Sequence, residues 1–200
     1  MTPMKKILHV GCGPQNKNSL KGFNNPFWKE IRLDIDEDVK PDIVGTLTDM
    51  NLVDSGSVDA LYSSHNIEHI SPHEVPTALL EFNRVLKDDG FVVITCPDLI
   101  SVCQAVVSDK LMEPIYTSPA GPISPIDVLY GHRGFIERGK SYMAHKTGFT
   151  YSSLLKSFQE AGFTSFFGGS RPKQFELWLI AYKQNKSEED LKKAAEEFLP

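Results

Sequence analysis

Four short stretches carry residues whose types and spacing suit binding or catalysis. Gly11-Cys12-Gly13-Pro14 directly follows the apolar run Ile7-Leu8-His9-Val10. That run is too short for a helix and predicts a strand covered on both faces. Glycine permits positive φ and lets a ligand approach the backbone where a Cβ would block it. Such a turn at the mouth of a buried strand is where doubly wound folds bind nucleotides. Asp34 stands about twenty residues on, where a carboxylate can accept both hydroxyls of a ribose. GTLTDM (45–50) then offers the Asp49 carboxylate and the Met50 N–H to an adenine edge, and SSHNIEH (63–69) falls at the same edge of the sheet.

Other clusters invite chemistry and give less. His65 to His69 spells H-x-x-E-H, a zinc signature whose ligands must share one face of a stable helix with a third ligand downstream. Here the motif leaves a strand and Pro72 follows almost at once, so no metal is expected. Glu68 and His69 fit a polar pair at a helix start as well as a substrate-side role. Asp34, Asp36, Glu37 and Asp38 lack the spacing of a calcium loop, and Asp36 to Asp38 read as a solvated turn. At Cys12 only the backbone need matter, and His9 alternates into the strand as a core residue. Tyr130, His132, Arg133, Tyr142, His145 and Lys146 are too polar for space-filling, and a histidine there could take a proton from an acceptor.

These residues need a scaffold to bring them together. Strands are expected at EIRLDID (30–36), PDIVGT (41–46), SVDALYSS (57–64) and FVVITCPD (91–98). Between the last two, Val75, Leu79, Phe82, Val85 and Leu86 form the apolar stripe of a helix that Gly90 follows. After Pro14 the Asn-rich segment, punctuated by Pro26, leaves room for only a short helix. LISVCQAVV (99–107) starts helically, and residues 110–147 then lose periodicity, as a lid or binding loop would. A helix over 151–163 precedes two strands, TSFFGGS and QFELWLIAYK, joined by RPK as an antiparallel hairpin. Ser187 begins a capped tail helix with the stripe Leu191, Ala194, Ala195 and Phe198. The order predicts an α/β fold with a mainly parallel sheet, residues 1–185 as one domain with a lid-like insertion at 110–147, and 186–200 as a C-terminal helix.

The 200 residues, 40% hydrophobic and 24% charged, describe an ordinary globular chain. A net charge of −5 argues against nucleic acid or an acidic membrane as partner. No run approaches a membrane span, and MTPMKK precedes no signal-peptide core. Three cysteines without a framework suit a reducing cytoplasm, so a cytoplasmic monomer or homodimer is expected.

Taken together, the four stretches resemble class I S-adenosylmethionine-dependent methyltransferases of the type-11 kind. HVGCGP is similar to their first motif, RLDID to the acidic second, GTLTDMNL to the adenine loop and SVDALYSSHNIEHI to the fourth-strand motif. The resemblance implies a Rossmann-like, seven-stranded, mainly parallel sheet with a C-terminal antiparallel hairpin, and S-adenosyl-L-methionine as cofactor. It implies that Gly11, Cys12, Gly13 and Pro14 hold the cofactor, the two glycines flanking its methionine portion. Asp34 would hold the ribose, Ile35 cover an adenine face, Asp49 and Met50 meet adenine, and Ser64 with His65 line the methyl-donor pocket. Thr46 departs from the aspartate often found after the loop glycine. A nicotinamide site would need a third glycine at position 16, which is Asn. The expected activity is methyl transfer to a small-molecule or sugar-like acceptor, with His132 and His145 of the lid as catalytic candidates. A cofactor-binding protein without turnover is the alternative, and an NAD-dependent oxidoreductase a more distant one.

Overall fold

Strand β1 (Lys5–Val10) is buried from Ile7 onward and lies inside the sheet, with a strand on either side. Its side chains alternate between two cores. Leu8 and Val10 pack on one face and Ile7 on the other, as the two-residue period of a strand requires. The computed structural model describes residues 4–200. On one flank of β1 lie β2 (Trp28–Asp34) and the two-residue β3 (Ile43–Val44), and on the other β4 (Val58–Ser64), all parallel. The chain therefore switches direction across the sheet at β1, and its carboxyl end is a topological switch point.

Helix α1 (Val75–Val85) crosses over from β4 to β5 (Leu86–Pro97), burying Ala78, Leu79, Phe82 and Val85. Gly90 does not end it. The helix passes straight into β5 at Leu86, and Lys87–Gly90 bulge out, because Val58 pairs with Leu86 while Ala60 pairs with Phe91. Helix α2 (Leu99–Val107) follows. The expected irregular stretch contains a small hairpin, β6 (Tyr116–Ser118) with β7 (Gly121–Ile123), and the short helices α3 (Pro125–Tyr130) and α4 (Arg133–Glu137). Helix α5 (Tyr151–Glu160) leads to β8 (Ser165–Arg171) and β9 (Glu176–Tyr182), which pair antiparallel, with β9 antiparallel to β5. The sheet order is β3-β2-β1-β4-β5-β9-β8, the seven-stranded arrangement expected.

After the glycine turn the chain makes only a 3₁₀ turn at Lys17–Ser19, so no long helix covers that part of the sheet. The last helix, α6 (Glu188–Phe198), covers it instead. Ser187 caps α6 by accepting from the Asp190 N–H at 3.1 Å. Its Phe198 ring stands 4.7 Å from Phe23 and 4.9 Å from Phe91, with Trp28 at the edge. Truncating so buried a ring forfeits both transfer energy and packing. Phe198→Ala should therefore cost about 3 kcal/mol of stability in urea unfolding, whereas a loss below ~1 kcal/mol would mean that α6 is only loosely attached.

Candidate functional site

A cavity of about 640 Å³ opens at the carboxyl ends of β1, β2 and β4. Gly11, Gly13 and Pro14 form one wall, and Leu33 to Asp36 another. The two glycines have different reasons to be glycine. Gly11 (φ +67°) leaves no room, since a Cβ there would lie 2.3 Å from the Asn66 amide. Gly13 (φ +52°) has nothing among the described residues within 4 Å of that position, so its backbone is open to a ligand. Between them Cys12 is buried and off the cavity wall, and burial pushes its thiol up to about 11. It is no thiolate nucleophile.

Asp34 holds the two walls together. Its Oδ2 accepts the Gly13 N–H at 2.7 Å and its Oδ1 accepts the Asp36 N–H at 2.9 Å. Each carboxylate oxygen keeps a further lone pair for a ligand. Arg32, which the sequence reading passed over, completes this frame. Its guanidinium donates to the carbonyls of Gly13 (2.6 Å), Gln15 (3.0 Å), Lys40 (2.9 Å) and Val39 (3.2 Å). Only its place two residues before Asp34 on β2 could have signalled this. Ile35 is half exposed on the cavity wall.

The third stretch is arranged differently from the expectation. Gly45, Thr46, Leu47 and Thr48 line the cavity, but Asp49 and Met50 do not. Met50 is buried, with its N–H donated to Glu81 Oε2 (2.9 Å) and its carbonyl accepting from Arg84 (2.9 Å). Both backbone groups are spent on α1, so none is left for an adenine edge. Asp49 is exposed and accepts the N–H of Asn51 at 3.2 Å.

At the end of β4, Ser64 pairs with Thr95 and stays off the cavity wall, which His65 and Asn66 reach. His65 is held at φ +47°, an unfavourable backbone for a non-glycine residue. Its Nδ1 lies 3.4 Å from Glu68 Oε1 and its Nε2 lies 3.8 Å from Glu176 Oε2. Desolvation in the cleft opposes protonation, yet those two carboxylates raise its pKa to about 9.

The segment after α3 forms a strap across the cavity, contributing Phe135, Lys140, Tyr142, Met143 and Lys146 to the lining. Asp36 does not lie in a solvated turn. Its Oδ2 accepts from Lys140 Nζ and from the Tyr142 hydroxyl, both at 2.7 Å. Those bonds hold its carboxyl down at about 2. The other end is tied by the Glu68 carbonyl, which accepts from Lys146 N–H (2.8 Å) and Thr147 N–H (3.2 Å). Gly131 (φ +97°) lets the strap fold on itself, since a Cβ there would fall 2.2 Å from the Met143 carbonyl oxygen. Neither histidine proposed for catalysis lines the cavity. His132 caps α4, accepting the Phe135 N–H at 3.3 Å. His145 donates Nδ1–H to the Val128 carbonyl at 2.6 Å and sits behind His69, their rings 4.8 Å apart. Burial keeps its pKa below the ordinary histidine value.

Residues 8–94 match the family model described as a methyltransferase domain. A possible exported protein from Bordetella parapertussis aligns at a TM-score of 0.58 and 15% identity, covering 92% of this chain and 63% of that one. A possible histamine N-methyltransferase from Thermotoga maritima aligns at 0.52 and 15%, covering 92% and 84%. The 1,6-didemethyltoxoflavin-N1-methyltransferase of Burkholderia thailandensis, with its substrate and S-adenosylhomocysteine bound, aligns at 0.53 and 12%, covering 90% and 70%. The fold is that of the class I S-adenosylmethionine-dependent methyltransferases. No curated protein matches the sequence.

The strap latch has a titration signature. In wild type the Asp36 carboxyl, followed by ¹³C NMR, should titrate at about 2. Because that lies below the unfolded value of about 3.9, the latch contributes fully above the unfolded value and is lost as pH falls through about 2. Lys140→Ala combined with Tyr142→Phe should return Asp36 towards the ordinary carboxylate range and speed amide exchange in 140–147. An unchanged pKa would mean that the latch is absent in solution.

Proposed function

We propose that the protein is an S-adenosylmethionine-dependent methyltransferase that binds its cofactor in this cavity and acts on a small-molecule or sugar-like acceptor. The carrying observation is the cradle at Gly13, whose open backbone is tied through its N–H to Asp34 at the switch point of the sheet. The turn Gly11 to Pro14 holds the methionine portion, Asp34 the ribose hydroxyls, and Ile35 one adenine face. The adenine edge falls to Thr46–Thr48 rather than to Asp49 and Met50. A cavity of about 640 Å³ is of the size that small-molecule sites have.

When bound, the cofactor supplies an electrophilic methyl on a sulfonium centre. The chain's part is to fix the acceptor in line with that methyl and to keep water away, which can account for much of such a rate. Phe135, Tyr142 and Met143 of the strap provide the apolar cover for this. The geometry disfavours a nicotinamide dinucleotide. Its pyrophosphate needs a helix N-terminus after the glycine turn, and here a 3₁₀ turn stands in that place.

Calorimetry with S-adenosylmethionine, S-adenosylhomocysteine, NAD⁺ and NADH tests the reading. The first two should bind and the nicotinamides far more weakly; a preference for NAD⁺ would refute it. Asp34→Ala should weaken cofactor binding by ~1.5–3 kcal/mol, the scale of a charge-assisted hydrogen bond. Release of S-adenosylhomocysteine in the presence of candidate acceptors separates an enzyme from a protein that only binds.

A further inference from the structure

Glu68 stands out among the buried polar groups. It is 1% exposed, and neither carboxylate oxygen has a hydrogen-bond partner among the described residues. Leaving a charged group so placed without donors is costly. The carboxylate is therefore buried and short of donors. His65 at 3.4 Å offsets its charge without satisfying its oxygens.

Two imidazoles converge on the same point. A ligand atom from each of Glu68, His69 and His145 lies within 4.8 Å of the others. Both rings are already oriented. His69 Nδ1 faces the Ala144 carbonyl at 3.3 Å, and His145 Nδ1 faces the Val128 carbonyl at 2.6 Å. A carbonyl can only accept, so each Nδ1 carries a proton, and Nε2 is the nitrogen that offers a lone pair when the ring is neutral. Backbone carbonyls orient the histidines of metal sites in this way.

We propose that Glu68, His69 and His145 form a binding site for a divalent first-row transition ion of the Zn²⁺ or Co²⁺ type. Two imidazole nitrogens and one carboxylate suit such ions, whereas Ca²⁺ and Mg²⁺ prefer all-oxygen shells. Bond lengths of ~2.0–2.2 Å place ligand atoms roughly 3–4 Å apart, which small side-chain rotations reach from the present arrangement. The H-x-x-E-H spelling contributes in an unexpected way. Its His69 lies on a 3₁₀ turn, Ile67–His69, and the third ligand comes from the strap rather than from a helix. His69 also lines the cavity, so a bound ion would stand beside the space that the proposed function assigns to an acceptor. Coordination would in addition fasten the strap to the end of β4.

The site is tested on the full chain without cofactor, by titrating Co²⁺ and following its visible absorption, with competition by Zn²⁺. One ion per chain is expected for wild type and for His73→Ala, an exposed histidine outside the site. His145→Ala should weaken binding by at least the ~10–100-fold that loss of a supporting group costs. Glu68→Gln keeps the side-chain shape and guards against a folding artefact, with circular dichroism as the check on each variant. Absence of stoichiometric binding, or equal affinity in wild type, His145→Ala and Glu68→Gln, overturns the proposal. Cofactor calorimetry in the presence of chelator reads the methyltransferase assignment separately, so either can fail without the other.

Discussion

The guanidinium of Arg32 is the tie on which the site depends. It reaches carbonyls on two loops, Gly13 and Gln15 after β1, and Val39 and Lys40 after β2. Bonds to a charged donor are worth ~1.5–3 kcal/mol each when shielded, and less here because the side chain is partly exposed. In an α/β unit the helix after the glycine turn would normally fix that turn. This chain has Pro14 and an asparagine-rich run there and forms only a 3₁₀ turn. Arg32 supplies the missing constraint from β2, and Asp34 two residues later adds the Gly13 bond on the same side of the strand.

The missing helix also explains the position of the tail. The sheet face carrying Ile7, Ala60, Tyr62 and Phe91 would otherwise lie open. Phe23 and Leu20 from the irregular segment cover part of it, and α6 brings Phe198, Ala194 and Ala195 to cover more. Lys21 donates to the Leu199 carbonyl, joining the two pieces of cover at their edge. A segment at the far end of the sequence thus does the work that a crossover helix does in the ordinary arrangement.

What could be read from the sequence was set by range. The strands, α1, the hairpin and the glycine turn follow from local periodicity and from the special backbone of glycine, and the structure repeats them. The misreadings share a different cause. Asp36 looked solvated because its partners, Lys140 and Tyr142, are 104 and 106 residues away. Met50 looked free because Glu81 and Arg84, which bind its N–H and carbonyl, lie on a helix face 31 and 34 residues on. His145 looked like an acceptor-side base, and its place behind His69 follows from strap contacts that no short pattern encodes. Gly131 carried a local clue, a glycine where backbone approaches backbone, but not the identity of the approaching segment.

The strap's attachments are unequal, and this gives the cavity a direction. At Lys146 and Thr147 it is tied backbone to backbone onto the Glu68 carbonyl, and Phe149 then packs into the main core. At Lys140 and Tyr142 it is held by side chains on a single carboxylate, with Phe135 and Met143 only partly buried beneath. Releasing the first end would uncover core residues; releasing the second exchanges a few polar bonds for water. Local opening follows the cheaper route. The weaker attachment is therefore the one on the Asp36 side, where the expected ribose and adenine positions lie. The firmer attachment stands next to His69, on the Glu68 carbonyl.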